Sequence, residues 1–423
     1  MNPLPVGAAP VPRRAALMAT LFAAQVCGST GHSIGMAVGG ITAAAITGTN
    51  AWSGVPVAVG ALGAALASWP LSRLMGRFGR RPGLAIGYAL AVVGAVLGMA
   101  GVLAASFALL LVGMTLFGVS NTSNLLARYA AADITPAERR GRAMGLIVWG
   151  STLGSLIGPN LMGSVVGAGA LLGLSPVGSA FLISVGGYAL AAVLVQVFLR
   201  PDPLAIARAL ERGGAAGRAA GPARPLGAIL REPRVRIAIG TLMAGQVVMI
   251  GTTSTSPVYL HDHGHGVNAI GLAVAMHLGG MYVASPLSGW LCDRFGRLAT
   301  IGAGGLVLLL AVVIAGLAPG RAGGLVMLGL FLNGVGWNLA FVAGSALLTD
   351  ALLPNERASI QGLADLVMGL MGALGSAAGG MILGLWGFGM LNALGAAVVI
   401  GTVSVVVLGR AARAAEAGEL RPG

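Results

Sequence analysis

The side chains of this sequence that could do chemistry are amides, imidazoles and arginines, with few carboxyl groups among them. Asn121, Asn124 and Arg128 are spaced i, i+3 and i+7, so in a helix they share one face. Asn333 and Trp337 are spaced i and i+4, which would place a hydrogen-bond donor beside a stacking surface. These groups form neither a nucleophile with an adjacent base nor a helical HExxH metal pair. The sequence therefore predicts a binding protein that is not an enzyme and needs no cofactor.

Histidines could add proton or metal chemistry, because imidazole titrates near neutral pH and ligates transition metals. His261, His263 and His265 alternate in one short loop, and His32 and His277 lie in the outer parts of apolar stretches. Three interpretations of the loop are open: a hydrated turn, a pH-sensing turn, or a contact for a metal or metal chelate. The loop histidines are weak metal candidates only, and no metal site is predicted elsewhere.

One carboxyl group, that of Asp365, falls inside an apolar stretch. Ionisable residues within membrane spans are costly and are functional candidates by default. Asp365 could carry a proton, or it could pair with another group near the end of its helix. Because acids are absent from the apolar stretches that hold the amides, His32 and His277 are further candidates for proton coupling.

The composition indicates that the protein is surrounded by lipid and not by water. Of the 423 residues, 56% are hydrophobic and 9% are charged, whereas ordinary globular chains carry about 25% charged residues. Aromatic residues make up 5%, which disfavours a membrane β-barrel with its aromatic girdles. Membrane-spanning helices remain.

The net charge of +13 follows from where the basic residues lie. All 25 are arginine, and apart from Arg321 they cluster in alternate breaks between apolar stretches. This is the positive-inside pattern, and it predicts that both termini are cytoplasmic in the cell membrane. Because topology explains the basicity, nucleic-acid binding is not expected.

Twelve apolar segments, each near the ~20 residues that span a bilayer, follow one another along the chain. They cover residues 15–38, 54–72, 83–105, 107–127, 144–166, 177–199, 237–258, 269–291, 298–318, 323–348, 360–383 and 387–409. The predicted fold is an all-α membrane protein with twelve transmembrane helices in two pseudo-symmetric six-helix bundles. The predicted domains are a tail (1–14), a bundle (15–199), a cytoplasmic linker (200–236), a second bundle (237–409) and a tail (410–423).

The two halves repeat when the sequence is shifted by 217 residues. The shift superimposes polar positions, which rarely match by chance in a Gly/Ala-rich chain. It pairs GRFGR at 76–80 with DRFGR at 293–297, Asn121 with Asn338, Asp133 with Asp350, and Arg140 with Arg357. At a slightly different shift Gln25 meets Gln246. Parallel repeats of this kind place a binding site near the midplane.

With these features the sequence resembles the major facilitator superfamily of secondary transporters. The resemblance rests on the loop G-x-x-x-D-R-x-G-R, whose second copy has Gly289, Asp293, Arg294, Gly296 and Arg297. The first copy keeps Arg77, Gly79 and Arg80 but has Ser72 and Gly76 at the glycine and aspartate positions. In the family this loop latches the cytoplasmic gate, so the resemblance implies a complete latch at Asp293 and a weaker one at Gly76. The alternative is that these arginines only anchor the topology.

The resemblance also implies which helices line the cavity and which direction transport takes. The first, fourth, seventh and tenth helices line it in the family, which makes seven residues candidates: Gln25, Asn121, Asn124, Gln246, Asn333, Trp337 and Asn338. Hydrogen bonding between helices is the competing interpretation of each amide. Gly154, Gly158 and Pro159 are similar to a helix-bend motif of exporters, and simple packing is its alternative. Met114 stands where proton-coupled members often carry arginine.

Together these features predict a transporter of a small neutral or anionic solute, working by alternating access as a monomer, with proton-coupled efflux by antiport as the preferred mode. The alternatives are uptake of a polar metabolite or metal chelate, and a membrane sensor that transports nothing. A chain without lysine has no GxxxxGK[ST] loop, so the sequence excludes ATP-driven pumping by this chain.

Overall fold

The computed structural model describes residues 13–49, 52–176, 178–213 and 224–419, and these ranges contain helices and turns but no β-strand. The first half has α1 (Arg14–Thr47), α2 (Val55–Phe78), α3 (Arg80–Leu103), α4 (Phe107–Asp133), α5 (Arg140–Asn160), α6 (Met162–Leu171) and α7 (Ala180–Phe198). Two helices, α8 (Pro203–Gly213) and α9 (Leu226–Arg231), lie in the predicted linker. The second half has α10 (Pro233–Asp262), α11 (Val267–Tyr282), α12 (Ser285–Phe295), α13 (Arg297–Leu317), α14 (Gly323–Ala351) and α15 (Pro354–Glu419).

All twelve predicted segments are helical, which confirms the predicted fold class. Nine helical stretches in the described ranges are long and apolar enough to cross a membrane, with residues 180–210 and residues 268–295 each counted as one stretch. The nine include α15, which holds two predicted segments, and leave out α1 and α5, whose sequences are richer in Gly, Ser and Thr.

Two predicted segments differ in detail from the helices. The segment at 144–166 is divided near Leu161, two residues after Pro159, and the one at 269–291 is divided just before Ser285 and Pro286. Proline removes a helical hydrogen-bond donor, which accounts for both positions. The last two segments are two helices within the range of α15, and they meet at a kink where the angles of Gly387 are non-helical (φ 82°, ψ 174°).

The chain divides into two compact units. Unit 1 comprises residues 1–224 and 352–366, and unit 2 comprises residues 225–351 and 367–423. The start of α15 therefore packs with the first half of the sequence, although the repeat assigns it to the second. The predicted bundle and linker boundaries remain predictions.

Each unit has one helix that is buried along most of its length: α4 in unit 1 and α14 in unit 2. Glycines allow neighbouring helices to approach them closely. A Cβ atom on Gly118 of α4 would collide with the carbonyl oxygen of Gly60, and one on Gly334 of α14 would collide with that of His277. Small residues at such crossings are typical of membrane bundles, and this helps to explain why the chain carries 71 glycines.

Candidate functional site

A chain of hydrogen bonds joins two of the predicted cavity amides in unit 1. Gln25 Nε2 donates to Ser151 Oγ (2.8 Å), and Ser29 Oγ donates to the same atom (3.3 Å). Asn124 Nδ2 donates to Ser29 Oγ (3.4 Å), and Tyr88 OH donates to Asn124 Oδ1 (2.8 Å). The network connects α1, α3, α4 and α5. It brings Gln25 and Asn124 together and adds serine and tyrosine hydroxyls that the sequence analysis missed.

His32 lies in a second polar group of unit 1. Its Nδ1 is 3.1 Å from Ser120 Oγ, which donates to Tyr188 OH (2.9 Å). The ring of Phe117 stacks on the imidazole, with 5.7 Å between centroids. Asn121 is half-buried on the next turn of α4.

In unit 2, an amide and two aromatic rings form one surface. Trp337 Nε1 donates to Gln246 Oε1 (2.9 Å), and the Trp337 ring stacks on Phe341 with 4.6 Å between centroids. Asn333 lies one turn away on the same face of α14 and is fully buried. Neither polar atom of its side chain has a hydrogen-bond partner among the described residues. An orphaned buried amide of this kind calls for a ligand or water partner.

Two further candidates of unit 2 hold helices together. Asn338 Nδ2 donates to the carbonyl oxygen of Met281 (2.6 Å) and to Ser285 Oγ (2.8 Å). His277 Nδ1 lies 3.0 Å from the carbonyl oxygen of Leu330, and its Nε2 lies 3.3 Å from Thr253 Oγ1. These contacts fit the interhelical interpretation of Asn338 and hold the imidazole between α10, α11 and α14.

Asp365 forms an ion pair, one of the two alternatives offered by the sequence, with a partner that the sequence did not identify. Its Oδ1 atom is 2.6 Å from Arg128 Nη2, and the two side chains are 0% and 1% exposed. Arg128 also donates to Tyr129 OH (3.0 Å) and lies over the Tyr129 ring. A signal existed in the sequence, because two opposite charges inside apolar stretches each need a partner.

The turn between α2 and α3 is built around the buried guanidinium of Arg80. Its Nε donates to Asp133 Oδ2 (2.8 Å), and its Nη2 donates to Gln361 Oε1 (2.6 Å). Arg357 Nη1 lies 3.6 Å from the other oxygen of Asp133. Ser72 Oγ donates to the carbonyl oxygen of Ala358.

Asp202, from the start of the predicted linker, caps the same turn. Its carboxylate accepts from the backbone N–H of Arg80 (3.1 Å), Arg81 (2.8 Å) and Leu204 (2.9 Å). Gly79, which precedes α3, has φ 106°, a conformation that glycine adopts without a Cβ penalty. The carboxylate thus lies at the positive N-termini of α3 and α8.

The equivalent turn between α12 and α13 is held by its own acid. Arg297 Nη1 donates to Asp293 Oδ1 (3.0 Å), and its Nε donates to Asp350 Oδ2 (3.0 Å). Gly296 has φ 90°, and Gly289 is buried. Arg77 and Arg294, which follow the acid position in the two copies, are exposed.

The predicted helix-bend residues lie where α5 packs on α1. A Cβ atom on Gly154 would be 2.5 Å from Ser29 Cβ, and one on Gly158 would be 2.5 Å from Ser33 Oγ and 2.6 Å from the carbonyl oxygen of Thr30. Pro159 follows in the last turn of α5. The glycines thus serve close packing, whichever role the motif has in transport.

The loop histidines contact backbone groups. His263 Nδ1 is 2.7 Å from the carbonyl oxygen of Tyr259, and His265 Nε2 is 2.9 Å from that of Gly320. His261 is exposed. Within the described ranges, no group of three His, Cys, Asp or Glu side chains is placed to hold a metal ion.

Comparisons with known proteins agree with this architecture. The sequence profile of the Major Facilitator Superfamily matches residues 21–268 and 257–422. The chain is 35% identical over 398 residues to the uncharacterized MFS-type transporter YdeG of Bacillus subtilis (strain 168), covering 92% of each protein. It is 28% identical over 358 residues to the riboflavin transporter RfnT of Brucella anthropi, covering 82% of this chain and 84% of that protein.

A solved structure shows the same fold. The structure of a bacterial homologue of the iron transporter ferroportin, in its outward-facing state, has a TM-score of 0.72 and 15% identity, covering 92% of this chain and 98% of that one. The apolar helices of both units make this a multi-pass membrane protein. Because the family profile spans nearly the whole sequence and YdeG matches 92% of it, the chain belongs to the Major Facilitator Superfamily of transporters.

Proposed function

We propose that this chain is a proton-coupled antiporter that exports a small neutral or anionic organic solute by alternating access. It works as a monomer in the cell membrane with both termini in the cytoplasm. The arginine distribution supports the orientation, and the Gly154, Gly158 and Pro159 pattern supports export. The observation that carries proton coupling is the buried ion pair of Arg128 and Asp365.

Protonation would change what the ion pair holds together. Asp365 Oδ2 is buried and has no hydrogen-bond partner among the described residues, so a proton can bind there without displacing another donor. Neutralising the carboxylate removes the counter-charge of Arg128, and a buried guanidinium without its counter-charge is costly. Residues 352–366 would then separate from α4 until water reaches Arg128. We propose that this release couples proton binding to the conformational change.

The charged groups around Asp365 favour the same sequence of events. Arg128 and the hydroxyl of Tyr129 contact it from α4, and the positive charge of Arg80 on α3 acts on it from nearby. Two positive charges stabilise the carboxylate while the segment is docked. Binding a proton neutralises the carboxylate and so removes this attraction, after which the segment can separate.

The amide-bearing helix faces support a neutral or anionic solute. No Asp or Glu occurs in residues 15–38, 107–127 or 237–258, whereas a buried cation would need a carboxylate partner. Gln246, Trp337 and the orphaned amide of Asn333 offer hydrogen bonds beside a stacking surface.

The test is proton flux in vesicles that contain the purified protein and a pH-sensitive dye. Neutral, anionic and cationic solutes are added to either side under an imposed pH gradient. We expect solute-dependent dissipation of the gradient by the wild type. Asp365→Asn should abolish proton movement but keep solute counterflow, and the exposed-loop variant Asp262→Asn should keep both. Absence of solute-dependent flux across the panel would overturn transport coupling altogether.

Three further variants decide which group carries the proton. Arg128→Gln with Asp365→Asn removes both charges together, so it replaces Asp365→Asn if the single variant does not fold. His32→Ala and His277→Ala test the histidine alternative. Loss of proton movement in either histidine variant, with coupling intact in Asp365→Asn, would assign the proton to imidazole.

Uptake of a planar polar metabolite is the second candidate. The stacked Trp337 and Phe341 rings beside Gln246 favour it, as does the similarity to a riboflavin transporter. Accumulation of riboflavin in vesicles with an inward proton gradient, and its loss in Trp337→Leu but not in Trp386→Leu, would favour uptake over export. Trp386 is an exposed tryptophan of α15.

A further inference from the structure

One face of α2 carries exposed side chains that change along the helix from apolar to basic. Leu62 and Leu66 are exposed, and Trp69 follows on the next turn. Arg73 and Arg77 are exposed on the two turns after that. Spacings of three and four residues keep these five side chains on one side of the helix. In a membrane protein an exposed apolar face meets lipid, and tryptophan is enriched where the hydrocarbon gives way to the headgroups.

Aromatic rings contact both guanidinium groups. The guanidinium carbon of Arg73 lies over the Trp69 ring, 4.2 Å from its centroid. That of Arg77 lies 5.1 Å from the centroid of the Phe78 ring. Because these contacts supply no oxygen acceptor, the N–H donors of each guanidinium keep their capacity for hydrogen bonds. Arginine donors bind phosphate oxygens in pairs, so each side chain is suited to a phosphate group.

The described side chains do not balance the charge of these two arginines. Within the ranges that the structure describes, no residue forms an ion pair or a hydrogen bond with the guanidinium of Arg73 or Arg77. Like charges four residues apart on one helix face repel each other. An anion between the two groups would replace this repulsion with attraction.

The positive-inside pattern alone does not require arginine at both positions. The shift of 217 residues that pairs the two turns places Trp290 at the position of Arg73 and Arg294 at that of Arg77. The equivalent part of α12 therefore has one arginine where α2 has two. Because the second half follows the same topology with a single arginine here, the additional arginine of α2 calls for another explanation.

A phospholipid has the two properties that this face is suited to bind, because it joins a phosphate to hydrocarbon chains. Anionic lipids of the cytoplasmic leaflet attract arginines that lie next to the membrane. We propose that α2 binds an anionic phospholipid, with the phosphate between Arg73 and Arg77 and an acyl chain along Leu62 and Leu66. The inference goes beyond the proposed transport function and assigns the lipid no step in it. It uses the proposed orientation, which puts the end of α2 at the cytoplasmic leaflet.

The test counts bound lipid on matched variants of the full chain. Detergent-solubilised protein is titrated with phosphatidylglycerol or phosphatidylcholine, and native mass spectrometry counts the lipid molecules that remain bound. Arg73→Gln with Arg77→Gln should weaken phosphatidylglycerol binding by about fivefold for each arginine removed. Arg231→Gln with Arg234→Gln, which removes two exposed arginines from the same predicted membrane face, should leave it unchanged.

Two further measurements separate lipid binding from general damage to the protein. The charge-preserving Arg73→Lys with Arg77→Lys should retain most of the binding, because lysine also attracts phosphate. The midpoint of thermal unfolding should stay near wild type in both double variants, since the two side chains are exposed.

Three outcomes would overturn the proposal. Equal losses in the α2 and control variants would mean general attraction to a basic surface. Competition by inorganic phosphate as effective as by the lipid would mean a soluble anion. Equal binding of phosphatidylcholine would mean that only the apolar surface matters. Because bound lipid is counted without any flux, this test and the flux test of the proposed function can fail independently.

Discussion

The turns around Arg80 and Arg297 occupy equivalent positions in the two halves of the chain but are stabilised in different ways. In both, the arginine begins one helix and pairs with an acid at the far end of the next helix, Asp133 of α4 or Asp350 of α14. Arg297 also pairs with Asp293 of its own turn. The first turn has Gly76 at that position, and residues that are more distant in the sequence stabilise it instead.

Those residues come from two places. Residues 352–366 supply Gln361 to the guanidinium and Arg357 to Asp133, and the linker supplies Asp202 to the α3 N-terminus. The small side chains at the first turn let this segment approach: the Cβ of a residue at 76 would be only 3.2 Å from Ala358 Cβ. The departures from the motif are thus compatible with a well-supported turn, and the weaker latch that the resemblance implies at Gly76 stays a prediction.

The two turns also differ in how deeply their ion pairs are buried. The side chains of Arg80 and Asp133 are 0% exposed, whereas those of Arg297 and Asp350 are 12% and 22% exposed. Removing one partner from a buried pair leaves an uncompensated charge, but water can solvate the remainder of a partly exposed pair. Equivalent substitutions should therefore have unequal effects.

The largest effect is expected for Arg80→Gln. It leaves the buried Asp133 without its closest counter-charge, which should lower the free energy of unfolding by about 3–5 kcal/mol. The matched Arg297→Gln should cost less, about 1 kcal/mol, because Asp350 is 22% exposed and water can solvate its carboxylate. Thermal unfolding of both variants in one detergent measures the difference. Equal losses of stability in the two variants would contradict the conclusion that the first ion pair is more deeply buried than the second.

Restoring the family residue in Gly76→Asp should destabilise the first turn. The added side chain crowds Ala358, and overpacking typically costs about 1–3 kcal/mol. An i,i+4 ion pair between the new carboxylate and Arg80 would stabilise the protein by only about 0.3–0.5 kcal/mol. The net effect should therefore be destabilising. Gly76→Ala adds the Cβ without the charge and should also destabilise. A higher midpoint of thermal unfolding for Gly76→Asp would contradict this, because it would mean that a carboxylate at this position stabilises the turn.

Asp202→Ala should have the next largest effect. Three backbone N–H groups lose their acceptor, and removing a helix cap costs about 0.5–2 kcal/mol. Asp202→Asn keeps one acceptor oxygen and should lose less. The unfolding midpoint is again the measurement, with Asp262→Ala as an exposed acid that should change nothing. An unchanged midpoint in Asp202→Ala would show that the linker does not support the turn.

The fold could be predicted from sequence because its signal is local. Length and hydropathy define each helix, and the repeat pairs the halves through matching polar positions. The division near Leu161 lies two residues after Pro159, which the sequence placed in a helix-bend motif, whereas the division near Ser285 was not predicted, although Pro286 offered the signal. The last two segments meet at the kink of Gly387, where the predicted segment 387–409 begins.

The contacts at the sites were harder to predict because they join distant positions. Arg128 and Asp365 are 237 residues apart, and the sequence around either residue does not indicate that the other is its partner. Asp202 looked like an ordinary linker residue, since its role depends on where α8 places it. Asn338 illustrates the reverse: its position suggested a cavity, and its hydrogen bonds reach α11 and α12.

The smallest effect in either turn is expected at Arg77. Its side chain is exposed and lies over the Phe78 ring, with 5.1 Å between the guanidinium carbon and the ring centroid. Exposed cation–π contacts contribute about 0.5–1 kcal/mol, so Arg77→Gln should leave both the unfolding midpoint and the transport rate near wild type. Asp293→Asn removes one of two carboxylates from Arg297, so it should slow solute flux more than Arg77→Gln does. Equal slowing in the vesicle assay would mean that charge at the membrane face, and not the geometry of the second turn, is what matters for cycling.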